Sequence, residues 1–143
     1  MQIHFQVPQN ILVSTYTNVA VDNLVEGCAA AGLKPLRVSY GGNVRQDLVE
    51  TTLDRQLDRH PLAPAITRLD SQTKDLLQAV TKLRSILGQG NRSDLAKTPK
   101  LENQLLQLEN RFSATKKRLF AVQQTRLRDV LSYADVVSPH SLR

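Results

Sequence analysis

Hydrophobic and polar positions along this chain change rhythm twice. At residues 11–15, "ILVST", an apolar, β-branched run predicts a short strand buried on both faces. From residue 19 the spacing turns helical. Val19, Val21, Leu24, Val25, Cys28 and Ala29 form one apolar side of a helix over 19–31, and Gly32 is placed to stop it. A second short strand is expected over 36–39, closed by Gly41 and Gly42. Strand, helix and strand of these lengths make a βαβ unit, which implies a parallel sheet. A short helix fits within 45–57, ended by His60 and Pro61.

Beyond Pro64 the period lengthens into two seams. Ile66, Leu69, Thr73, Leu76, Val80, Leu83 and Leu87 recur at alternating steps of three and four. Leu101, Leu105, Leu108, Phe112, Thr115, Leu119 and Val122 do the same. Each is a heptad-like stripe on a long helix. The turn-rich residues 88–99 lie between them, so the two helices are expected to fold back as an antiparallel hairpin. A third buried strand is expected over 134–137. The predicted architecture is a mostly helical α/β fragment, in which a long antiparallel helical hairpin is inserted into a partial parallel sheet of two or three strands. Its divisions are residues 1–60 for the βαβ unit, 61–131 for the hairpin, and 132–143 for the third strand and tail.

Charge sharpens this division. The formal net charge is +6, but residues 1–60 hold five Lys/Arg against six Asp/Glu, while the remainder holds 14 against 7. A basic half beside a neutral one is the footprint of an anionic partner, nucleic acid before membrane. A solvated helical surface is the plain alternative. Cys28 is the only cysteine, which excludes an intrachain disulfide and a cysteine-based zinc site. No apolar run approaches the roughly 18 residues of a membrane span. The opening "MQIHFQVPQN" lacks the basic flank and apolar core of a signal peptide, so an intracellular location, nucleus or cytoplasm, is expected. His4, His60 and His140 show no ligand spacing and are expected as surface histidines. Ser39, Ser132 and Ser138 have no partnered histidine and acid, and Cys28 reads as core.

The chemically suggestive point is the junction between the first strand and the first helix. A helix start leaves backbone N–H groups free, and their partial positive charge suits an anion such as phosphate. Thr15, Thr17 and Asn18 add small hydrogen-bonding side chains there. The same residues also serve as ordinary helix caps, and the local sequence leaves both readings open. In a parallel sheet, ligands gather beyond the carboxyl ends of strands, where this junction falls.

The stretch "ILVSTYTNVAVDNL" resembles motif Ia of the superfamily 1 RNA/DNA helicases related to the nonsense-mediated-decay helicase and senataxin. Thr17, Asn18, Ala20, Val21, Asp22 and Leu24 fill the motif's places, and Tyr16 stands where a proline is usual. "GLKPLRVSYGG" resembles the strand that follows, and "YADVV" the start of motif Ib. The resemblance spans about Asn10 to Val137. It implies part of a first RecA-like domain with the hairpin as its helical insertion. It also implies contact of Thr17 and Asn18 with the sugar-phosphate backbone of single-stranded RNA or DNA. The insertion would lie beside the strand, so Lys116, Lys117 and Arg118, with Arg126 and Arg128, become candidates for an electrostatic track.

The ATPase motifs of such a helicase are missing from these residues. No GxxxxGK[ST] phosphate loop and no Asp-Glu magnesium motif occur. ATP and magnesium therefore belong to the parent family, and no catalytic, cofactor or metal residue is assigned here. The expectation is a truncated helicase fragment that contacts nucleic acid, and also the rest of a helicase core. The rival expectation is a protein-interaction module acting through the hairpin, for which Leu77, Leu106, Phe120 and Leu127 offer a partial second apolar stripe.

Overall fold

A computed structural model describes residues 11–38, 44–89 and 97–139. Helices dominate these residues: α1 (Asn18–Ala30), α2 (Leu53–Arg59), α3 (Ala63–Gly88) and α4 (Thr98–Tyr133), with a 3-10 helix at Gln46–Thr51. Three short strands, β1 (Ile11–Leu12), β2 (Pro35–Val38) and β3 (Val136–Pro139), pair in parallel in the order β1-β3-β2. Val136 is in register with Ile11 on one side and Pro35 on the other. The strand that comes last in sequence is thus the central one. The chain divides into two compact units, Met1–Pro61 with Thr125–Arg143, and Leu62–Gln124; α4 contributes to both.

In the sheet-bearing unit, α1 is closed at both ends by its own sequence. The Thr17 hydroxyl accepts from the Ala20 amide at 3.2 Å and caps the start. At the other end Gly32 takes φ +81°, its N–H donates to Ala29 O, and the Leu33 N–H donates to Cys28 O. This is the paired closure that a left-handed glycine permits. Nothing lies within 4 Å of a Cβ placed on Gly32, so only the backbone opposes substitution. Gly32→Ala is therefore expected to cost roughly 1 kcal/mol, and Gly32→Asn less, read as shifts in urea midpoint.

The pleat of β2 sends consecutive residues to opposite faces. Leu36, 2% exposed, packs with Val130 and Ala134 near the end of α4 and with Leu53 and Leu57 of α2. Arg37 faces α1 instead. On the α1 side, Val21, Val25 and Leu48 form a second cluster, joined by Val44. Arg45 ties α1 to the 3-10 segment on the surface, reaching Glu26 at 2.9 Å and Asp47 at 2.6 Å. Its hydrogen bonds hold the Asp47 carboxyl below the usual range.

Several expectations need correction. The first strand covers two residues, and it is open: Ile11 is 59% and Leu12 68% exposed. Among the described residues β1 pairs only with β3, so its other edge has no strand partner among them. The helix expected within 45–57 is broken. Thr52, at φ −74° and ψ 147°, is extended, accepts from the Arg55 amide, and starts α2 afresh. The third strand begins at Val136, and Ala134 is a core residue before it. Pro99 belongs to the first turn of α4 rather than to the connection, a position proline tolerates. His60 is not a plain surface histidine, since its side chain is 12% exposed and Nε2 lies 3.1 Å from Asp129 Oδ2. His4, Ser39, Gly41, Gly42 and His140 fall outside the described residues.

In the helical unit the seams organise burial. Ile66, Val80 and Leu119 are buried, and the other eleven seam positions are all at least half-buried. Leu77, Ile86, Leu106 and Phe120, off the seams, are exposed. Arg84 on α3 meets Glu109 on α4 at 2.6 Å. Gln72, Asp75 and Leu76 face Arg111 and Thr115 across a cavity of about 320 Å³. A lower number on α3 thus meets a higher one on α4, so the two segments are antiparallel. The whole net charge also sits here, with 11 Lys/Arg against 5 Asp/Glu in 62–124.

Candidate functional site

The chain leaves β1 at Leu12 and enters α1 at Asn18, so the start of α1 lies beyond the carboxyl end of that strand. All strands are parallel, and the carboxyl end of β2 therefore points the same way. Arg37, third of the four β2 residues, reaches this junction. Its Nε lies 2.9 Å from Asp22 Oδ1, and its Nη2 donates to Asn18 Oδ1 at 3.4 Å. Asn18 and Asp22 are four residues apart, which places both on one face of α1.

Arg37 is fully buried and Asp22 nearly so. The Nε–Oδ1 separation is that of an ion pair, but its angles fall short of a directed hydrogen bond, and Arg37 Nη1 has no partner among the described residues. The pair is held more by charge than by ideal geometry. A buried cation of this kind needs its counter-charge nearby, and Asp22 supplies it.

The outer surface of the junction is rich in donors. Thr17 is exposed, while Thr15 and Asn18 are half-buried. The Thr15 hydroxyl donates to Thr17 O at 3.3 Å, and Thr17 Oγ1 receives the Ala20 N–H. The Val21 N–H goes to Thr17 O, closing the first helical turn. The amides of Asn18 and Val19 have no acceptor among the described residues. Thr17 therefore acts as a cap that satisfies one amide of the first turn, and two further amides have no acceptor among the described residues. Tyr16 stands beside them at 93% exposure.

Lys116, Lys117 and Arg118 are exposed on α4, in the helical unit. Consecutive helical residues point about 100° apart, so the three side chains spread over more than half the helix circumference rather than forming one track. Lys116 Nζ lies 5.9 Å from the centre of the Phe112 ring, within reach of a cation–π contact. Arg126 lies in the sheet-bearing unit, where Nη1 donates to Leu57 O at 3.5 Å. It is therefore partly engaged within the protein. Arg128 is exposed.

Arg37 and the partner role of Asp22 were not legible as site features. A signal was present: one arginine in the otherwise apolar "PLRV", and one aspartate directly after Val21. A charge flanked by core residues on each of two packed elements asks for a partner. A cavity of about 340 Å³ lies at the other end of β2, against Lys34, Pro35 and His60. It opens at the amino end of the strand, away from where parallel sheets bind ligands.

Among the described residues, no helix is long and apolar enough to cross a membrane. A search of curated proteins returned no match. A family model described as an AAA domain matches residues 2–138, a span that takes in the β1–α1 junction, the hairpin and the returning strand. The chain belongs to this family of superfamily 1 helicase-like AAA domains.

Proposed function

We propose that this chain is part of the first RecA-like domain of a superfamily 1 helicase, of the kind related to the nonsense-mediated-decay helicase and senataxin, and that it holds the backbone of single-stranded RNA or DNA. The observation that carries the reading is the β1–α1 junction. Two amides without an acceptor among the described residues, the exposed Thr17, and the half-buried Thr15 and Asn18 gather beyond the carboxyl ends of parallel strands. Contacts of this kind position a strand without reading its sequence. The basic helical unit adds long-range attraction for the same polyanion. The 143 residues contain no phosphate loop, so ATP and magnesium chemistry is not assigned to them.

The test is binding of single-stranded oligonucleotides across a salt series. The intact chain should bind with affinity that falls as salt rises. Asn18→Ala should weaken binding at every salt concentration without altering the slope, because Asn18 carries no charge. Lys117→Gln combined with Arg118→Gln should instead flatten the slope, by roughly 0.7 for each phosphate that is no longer neutralised. Binding that ignores both salt and Asn18 would remove the junction from the account.

A further inference from the structure

We propose that Arg37 is a positioning residue: anchored by Asp22, it holds the Asn18 side chain with its oxygen inward and its NH2 outward, so that the head of α1 gains a donor and takes a phosphate oxygen. This rests on the nucleic-acid reading above and deepens it.

Arg37 is 0% exposed on a four-residue strand, where an aliphatic residue would serve the core as well or better. A guanidinium differs from an aliphatic chain in carrying five donors on a rigid fork, which lets it hold two partners at fixed angles. Here the partners are Asp22, at 2.9 Å from Nε, and Asn18, at 3.4 Å from Nη2. The aspartate neutralises the cation and fixes its rotamer. The asparagine receives the free end of the fork.

That contact decides which way Asn18 faces. Its Oδ1 must turn toward the guanidinium, because the opposite flip would set the NH2 group against a cation. Nδ2 is then directed away from Arg37. It joins the amides of Asn18 and Val19, which have no acceptor among the described residues, and the proton of the Thr17 hydroxyl as donors at the head of α1. Arg37 Nη1, buried and without a partner among the described residues, adds one more N–H donor close by. A cluster rich in N–H donors at a helix start suits an anionic oxygen. A lysine could not reproduce this, because a single ammonium has no fork to span the two partners.

The experiment uses the full chain, a single-stranded oligouridine as probe, and the side-chain amide signals of Asn18 in a nitrogen-15 spectrum. Removing Arg37 alone would strand Asp22, so the informative variant is Asp22→Leu with Arg37→Met, which removes both charges and keeps the volume. In the native chain the Asn18 NH2 pair should be dispersed, and in the double variant it should collapse to the position of a free asparagine. Oligouridine binding should weaken roughly tenfold in the double variant, with no further loss when Asn18→Ala is added. An Asn18 signal unchanged in the folded double variant overturns the proposal. So does an Asn18→Ala loss that is as large in the double variant as in the native background. A native chain that holds Asn18 as described yet ignores oligouridine would instead overturn the nucleic-acid reading and its phosphate corollary, leaving the positioning by Arg37 in place.

Discussion

Arg37→Met alone is expected to destabilise the sheet-bearing unit by about 3–5 kcal/mol, one of the largest single-residue effects in the chain. The loss comes less from the attraction removed than from the charge left behind. Asp22 is 4% exposed, and with the guanidinium gone no other cation is paired with it among the described residues. Its carboxylate must then be protonated, hydrated by local opening, or left uncompensated. Adding Asp22→Leu to Arg37→Met should restore most of the stability, since a buried ion pair replaced by apolar residues of similar volume is often neutral or better. Urea denaturation of native, single and double variants reads this directly. A single variant within about 1 kcal/mol of native would show that the pair is hydrated and not truly buried.

Val80→Asp should be comparably damaging to the helical unit, on the order of 3–4 kcal/mol. Val80 is 2% exposed at the middle of the α3 seam. Arg84, the cation one turn on, is already engaged with Glu109. The comparison residue is Leu77, three positions earlier and 47% exposed. Leu77→Asp should change stability by less than about 0.5 kcal/mol, because it lies on the solvent side and creates no buried charge. Thermal unfolding followed by helical circular dichroism separates the two. Equal effects would mean that the seam does not carry the packing of α3 against α4.

The seams were legible in the sequence because a helix imposes its own period. Wherever Leu, Ile, Val, Phe or Thr recurred at three and four, the side chain is buried or half-buried, and the intervening Leu77, Leu106 and Phe120 are exposed. The ends of α1 were legible for the same local reason, since Thr17 and Gly32 act on amides and carbonyls within a few residues. The break at Thr52 was not. The run 45–57 has enough helix formers to read as continuous, yet Thr52 is extended and forms a lone bridge with Arg37. A tertiary pairing overrode local preference there.

The junction shows the same division. Its residue types and its place at a strand-to-helix turn could be read directly, and so could the resemblance that gave them a use. The hand holding Asn18 could not, because Arg37 lies 19 residues away on another strand.

Composition, period and capping residues, all acting over less than a heptad, determined by themselves where α1, α3 and α4 lie, which stripes the two long helices bury, and that net positive charge collects on the hairpin. Only the tertiary structure decided that β3 enters between β1 and β2, and that Asp22, Arg37 and Asn18 meet. Those outcomes depend on pairings closed across stretches of chain far longer than a helical turn. Loop closure and strand order select such pairings, and no local pattern encodes them.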